Sequence, residues 1–323
     1  MDLDGQLTFE DDPNASRMKI AINQLRLGEF AEASQAFNEL FETDPDYPGV
    51  MTGIRAAEFW KNRADQIASM ELGLEKGKFL KKEWNRFEEF IQNHDEYNKL
   101  HIQAVRIYIF TEAIHSFTRA YQNTISPDIS LIYDIGECYF NIRDFEKAVE
   151  TFEYAWEFKR DNSKLLARLA DAYFALSDSP EIHKKSRLLF REAFLYNPEE
   201  IELDRIKADF IETLITTVRE KGFIEEEVPL WLPIYAAIEH EFNVKRELEE
   251  HEVNTLSDQI YRLEQDLIKA GTNTKLILPS LLNRYLWLID HFYIEERDSI
   301  KVEMLKKKFQ DADSEIYKMI FYP

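Results

Sequence analysis

The sequence predicts an all-α protein: a helical-repeat solenoid followed by a helical C-terminal extension. Three observations predict it. Gly and Pro number only 9 and 10 in 323 residues, too few for the turns that a β-rich chain needs every few residues. Apolar residues recur at three- and four-residue steps along much of the chain, the period of one buried helix face. Between 129 and 198, small and aromatic residues also recur at a spacing near 34, the period of stacked helix pairs. With 23 Phe and 15 Tyr, there is ample apolar area to bury.

In chain order, residues 1–13 read as a mobile acidic tail. A first helix starts at Asn14 or Ser16 and stops at Gly28. A second, over 30–43, presents Phe30, Ala33, Phe37, Leu40 and Phe41 and ends at Asp44-Pro45. Residues 49–93 form a long, irregular helical insertion carrying Trp60, Ala64, Ile67, Leu74, Trp84, Phe87 and Ile91. Gly73 and Gly77 interrupt it, which leaves one helix or two open. Beyond Asn93-His94-Asp95, the period continues through Tyr97, Leu100, Ala104, Ile107, Ile114, Phe117 and Tyr121 to Thr124.

The stretch 129–198 is the most informative. Gly136 and Ala170, Tyr139 and Tyr173, and Phe140 and Phe174 are each 34 residues apart. In the second half of each unit, Phe152 and Phe190, and Ala155 and Ala193, are 38 apart. The four extra residues fall in Ser177–Lys185, expected as a loop insertion. Close helix packing explains the pattern: Gly136, Ala148 and Ala155 let backbones approach, while Tyr139 and Phe152 fill the gaps.

At these residues the chain resembles the tetratricopeptide repeat family. Unit 129–162 matches through Ile132, Ile135, Gly136, Tyr139, Ala148, Phe152 and Ala155. Unit 163–200 matches through Leu166, Leu169, Ala170, Tyr173, Phe190, Ala193 and Pro198. Unit 14–47 matches through Gly28, Ala33, Phe37 and Pro45, with Leu40 in a small-residue place. Unit 94–128 matches through Ala113, Phe117 and Ala120, with His101 in a small-residue place and no turn residue between its helices. The resemblance implies that first helices line a concave surface holding a peptide or partner helix. That face here comprises Tyr133, Glu137 and Phe140, then Lys164, Arg168, Asp171 and Phe174. Lys164 and Arg168 also match the basic places of a clamp for chaperone C-termini. Asp134, Asn98 and Ile102 depart from the rest of that clamp, so a chaperone ligand is not expected.

Residues 201–323 form the helical C-terminal region. A helix is expected over 201–221, a linker at 222–229 and a helix over 230–242. Val253, Leu256, Ile260, Leu263 and Leu267 form an apolar seam within 245–270, and Val302, Leu305, Phe309, Ala312, Ile316 and Met319 form another within one last helix, 298–321. Such seams suit antiparallel packing or a coiled coil.

A formal charge of −21 opposes nucleic acid and anionic membrane surfaces as ligands. Only 61–120 escapes the acidity, with Lys76, Lys78, Lys81, Lys82 and Arg86 close together, read as a solvated face. Cys138 is the sole cysteine, expected to be buried and inert. The acidic start lacks the basic flank and apolar core of a signal peptide, and Val228–Ile238 is too short for a membrane span; a cytoplasmic protein is expected. No phosphate-binding or nucleophile-elbow motif occurs. Neither His240-Glu241 nor His251-Glu252 has the second histidine of a zinc protease, and Glu112 to His115 stands alone. The expectation is therefore a non-catalytic protein-protein interaction module, without metal or cofactor, serving as adaptor or subunit of a larger assembly. Its alternative is a structural homo-oligomer assembled through the C-terminal seams.

Overall fold

The structure, a computed structural model, describes residues 13–94, 98–270, 274–294 and 299–322. The acidic tail expected at 1–13 thus lies outside the described residues except for Pro13, which opens the first helix. Among the described residues there are fifteen α-helices and no strand. The chain divides into two compact units at Thr151/Phe152, whereas the repeat signal in the sequence runs on to 200.

In the first unit, α1 (Pro13–Leu27), α2 (Phe30–Thr43) and α3 (Val50–Ser69) pack as successive neighbours, as do α4 (Leu74–Gln92), α5 (Lys99–Gln122) and α6 (Ile129–Asn141). Residues 49–93 are therefore two helices, separated where Met70 turns extended and Gly73 opens α4. Small residues set the crossings. A Cβ on Gly53 would collide with the Phe37 ring, and one on Gly77 with the Phe117 ring. Phe30, Phe59 and Phe87 surround the fully buried Trp60 with centroids 5.3–6.2 Å away.

Residues 99–122 form a single unbroken helix, so unit 94–128 is not the helix pair its resemblance implied. The reason is local: Asn98 caps its start by accepting from Leu100 N at 3.0 Å, and no Gly or Pro interrupts the run that follows. His101 occupies a small-residue place because the small partner lies on another element. Gly49, at φ 85°, stands where a Cβ would lie 2.9 Å from the His101 ring.

The spacing in 129–198 corresponds to successive helices: α6 is followed by α7 (Phe145–Phe158), and α8 (Ser163–Leu176) packs against α9 (Pro180–Tyr196). Ala148, Phe152, Ala155, Ala170, Phe190 and Ala193 are all fully buried. The expected loop insertion is a correction. Both connectors have three residues, 142–144 and 177–179; of the extra four, one lengthens α8 (14 residues against 13 in α6) and three lengthen α9 (17 against 14 in α7). About one added turn keeps the buried face in phase.

The second unit also contains 3-10 turns at 198–200 and 203–205, α10 (Asp209–Glu220), α11 (Val228–Ile238), α12 (Glu250–Ala270), α13 (Ile277–Ile294), α14 (Ser299–Ala312) and α15 (Ser314–Phe321). The helix expected from 201 begins only at Asp209, because residues 201–208 form no α-helix: the 3-10 turn at 203–205 is flanked by the irregular stretches 201–202 and 206–208. The last helix is two: Asp313 breaks the run and caps α15, accepting from Glu315 N and Ile316 N. α11 is apolar all round and packs on α9, α10, α13 and α15, as an interior helix must. The seam residues Leu256, Ile260, Val302 and Phe309 are buried inside this unit, where α13 packs against both α12 and α14.

Candidate functional site

Lys164, Arg168 and Asp171 stand at i, i+4 and i+7 of α8 and so share one face. Asn162 caps this helix, accepting from Leu165 N at 3.0 Å. That face holds a piece of the chain's own backbone, the 3-10 turn at 203–205 and the irregular residues 206–208 that follow it. Asp171 is fully buried and accepts from Lys207 N at 3.0 Å and Ala208 N at 2.8 Å. Arg168, also buried, pairs with Asp171 at 2.6 Å and donates to the Arg205 carbonyl at 2.9 Å. Lys164 pairs with Glu202 at 2.8 Å. Upstream, Ser163 Oγ accepts from Asn197 N at 2.7 Å. Ile206 and Ala208 are buried in the same stretch. Phe174, half-buried one turn further along α8, stacks on His183 at 4.4 Å and meets Phe210 at 5.3 Å.

This arrangement reads main chain. Arg168 supplies a donor and Asp171 an acceptor to the main chain of residues 205–208, and Lys164 pairs with the acidic side chain of Glu202. The family resemblance singled out the three side chains as one face, but not that residues 202–208 meet them. The one available signal was the run Glu199 to Asp209, whose alternating charges and apolar residues fit neither helix period nor linker composition.

The other three expected site residues belong to the first unit. Tyr133, Glu137 and Phe140 are all buried, and Phe140 packs edge-on to Phe145 at 5.2 Å. They present little exposed anchor area, which corrects the expectation of an open partner-binding face at these three positions. Asp134, the residue that breaks the chaperone-clamp pattern, pairs with Lys81. Lys76 pairs with Glu112 at 3.3 Å and Arg86 with Glu83, so three members of the basic stretch 76–86 are tied to acids rather than simply solvated.

A charged cluster in the second unit was not anticipated. Arg191 is buried, donates to the Val244 carbonyl at 2.6 Å and to Asp290 at 2.6 Å, and lies 4.3 Å over the Trp287 ring. Arg246 pairs with Glu192 and, at 2.6 Å, with Glu252. Burial lowers the Arg191 pKa and raises that of Glu192 against the pull of Arg246, whereas the Arg246 hydrogen bond lowers that of Glu252. These contacts hold residues 244–252 onto α9 and α13. Beside them opens a shallow cavity of about 630 Å³ lined by Glu247, Leu248, Glu249, Glu250, Val253 and His291. The His291 Nδ1 accepts from Leu248 N at 3.1 Å, so this imidazole anchors the cavity wall.

Cys138 is fully buried, and desolvation pushes its thiol pKa up strongly, the inert state expected for it. Glu112 lies 3.7 Å from His115 but is engaged by Lys76. Among the described residues, no group of three or more His, Cys, Asp or Glu side chains could hold a metal ion, and no helix is long and apolar enough to cross a membrane. No family model matches the chain, nor does any curated protein or solved structure.

Proposed function

We propose that this chain is a non-catalytic protein-protein interaction module, an adaptor or a subunit of a larger assembly, whose repeat-like helices bind polypeptide. The tetratricopeptide-like reading of 129–200 is part of the proposal. One observation carries it: Lys164, Arg168 and Asp171 already bind a peptide segment, residues 202–208, through its main chain and one acidic side chain. Main-chain recognition of this kind tolerates sequence variety, the property an adaptor needs. The partner that suits α8 is an acidic peptide able to take the place of residues 202–208, because Lys164 pairs here with the acidic Glu202 of that segment.

Affinity capture from the native cell tests this. The wild-type chain is expected to retain one polypeptide in near-stoichiometric amount, and a Lys164→Glu variant with an unchanged thermal melt is expected to lose it. Equal recovery by both proteins, or no stoichiometric polypeptide with either, contradicts the proposal.

A further inference from the structure

His101 is 1% exposed on the first turn of α5. Its Nε2 lies 3.2 Å from the Met18 thioether of α1. A thioether can only accept, so this contact places the ring proton on Nε2 and leaves Nδ1 as a bare lone pair. That Nδ1 is buried without a hydrogen-bond partner. The ring centroid sits 5.3 Å from that of Phe37 on α2, and Gly49 closes the remaining side so tightly that a Cβ there would lie 2.9 Å from the ring.

The elements packed around α5 bring no compensating charge. On α1, Arg17, Lys19 and Arg26 are exposed, as are Glu32, Glu39 and Glu42 on α2, whose Phe37 touches the ring. On α3, Glu58 pairs with Lys61 and Arg63 with Glu83; on α4 and α6, Lys76 pairs with Glu112, Glu88 with Arg106 and Lys81 with Asp134. Among the described residues, burial alone acts on the ring, and it lowers its pKa from 6.5 to about 4. An imidazolium here would carry an uncompensated buried charge and an N–H with nothing to accept it.

We infer that the α1–α5 contact is an acid-sensitive latch: proton uptake by His101 releases α1 from α5. The neutral ring is the form that fits. As pH falls below the unfolded value of 6.5, the open state binds the proton and the closed state does not, until about pH 4. The closed-to-open ratio therefore drops about 300-fold across that window and is constant above it.

Replacing His101 by Leu keeps an apolar side chain in the site and removes the titration. Amide exchange of residues 13–27, corrected for intrinsic pH dependence, is expected to show opening that rises about 300-fold from pH 7 to pH 4 in the wild type. In His101→Leu that rise is expected to shrink to the part shared with other titrating groups. Equal pH dependence in the two proteins overturns the inference. A second measurement needs no variant: the His101 Cε1–H resonance of the wild type, assigned through its contacts with Met18, is expected to stay in the neutral position down to about pH 5. Titration near 6.5 in the folded chain overturns the inference as well.

Discussion

Replacing Asp171 by Ala is the perturbation that bears hardest on the α8 face. The carboxylate is fully buried, faces the buried Arg168 guanidinium at 2.6 Å, and accepts from two backbone N–H groups at 207 and 208. Removing one partner of a buried ion pair costs about 3–5 kcal/mol, because the other charge stays behind without compensation. The two orphaned amides would add about 1–3 kcal/mol each if they remained buried. They need not remain buried: residues 202–208 can peel off α8 and return their amides to water, which caps the loss. The expected cost to the second unit is about 4 kcal/mol, with the loss for Asp171→Asn about half that, since its amide oxygen still accepts one N–H. The assay is urea unfolding followed by circular dichroism and fitted with separate transitions for the two units. Hydrogen exchange at Lys207 and Ala208 should lose its protection in parallel. An Asp171→Ala loss below about 1 kcal/mol, or unchanged protection at both amides, refutes the reasoning.

Three further predictions follow from the packing. Gly136→Leu, at a buried place in the repeat register, should destabilise the first unit by about 1–3 kcal/mol or more through overpacking; a melt shifted by no more than measurement error contradicts that register. Arg143 has φ 67° at the end of α6, a left-handed conformation that costs a side chain about 1–2 kcal/mol. Arg143→Gly should therefore stabilise the chain by about 0.5 kcal/mol after the added freedom of the unfolded glycine is subtracted, and a measured destabilisation contradicts this. Asp290→Ala leaves the buried Arg191 with the Val244 carbonyl but without its hydrogen-bonded carboxylate, and should cost the second unit about 3 kcal/mol; denaturant unfolding that shows a change under 1 kcal/mol contradicts it.

What was legible in the sequence follows from which forces act locally. The successive helices of 129–196 could be read because small residues at close crossings must recur with the length of the repeat, and Gly136, Ala148, Ala155, Ala170 and Ala193 do so. Residues 99–122 misled because Ala113 and Phe117 copy the packing of a repeat's second helix, while the turn that would make a pair is absent. α13 shows no single stripe: Leu281, Leu282, Tyr285, Leu286, Trp287, Leu288 and Ile289 are all buried, and periodicity carries no signal when every face is apolar. The Gly49 and His101 fit, the Arg191 and Asp290 pair and the grip on residues 202–208 join positions that are 52, 99 and about 37 residues apart. None has a fixed spacing that pattern reading could use. At the α8 face, Lys164, Arg168 and Asp171 do share one surface, and the segment they hold here belongs to the same chain.

The most direct measurement places a photo-crosslinking amino acid at Phe174, half-buried at the end of the α8 face, in the native cell. The account predicts a crosslink to a separate polypeptide of defined mass, which Lys164→Glu abolishes. Crosslinks confined to the chain's own residues around Phe210, with no second polypeptide attached, would contradict it.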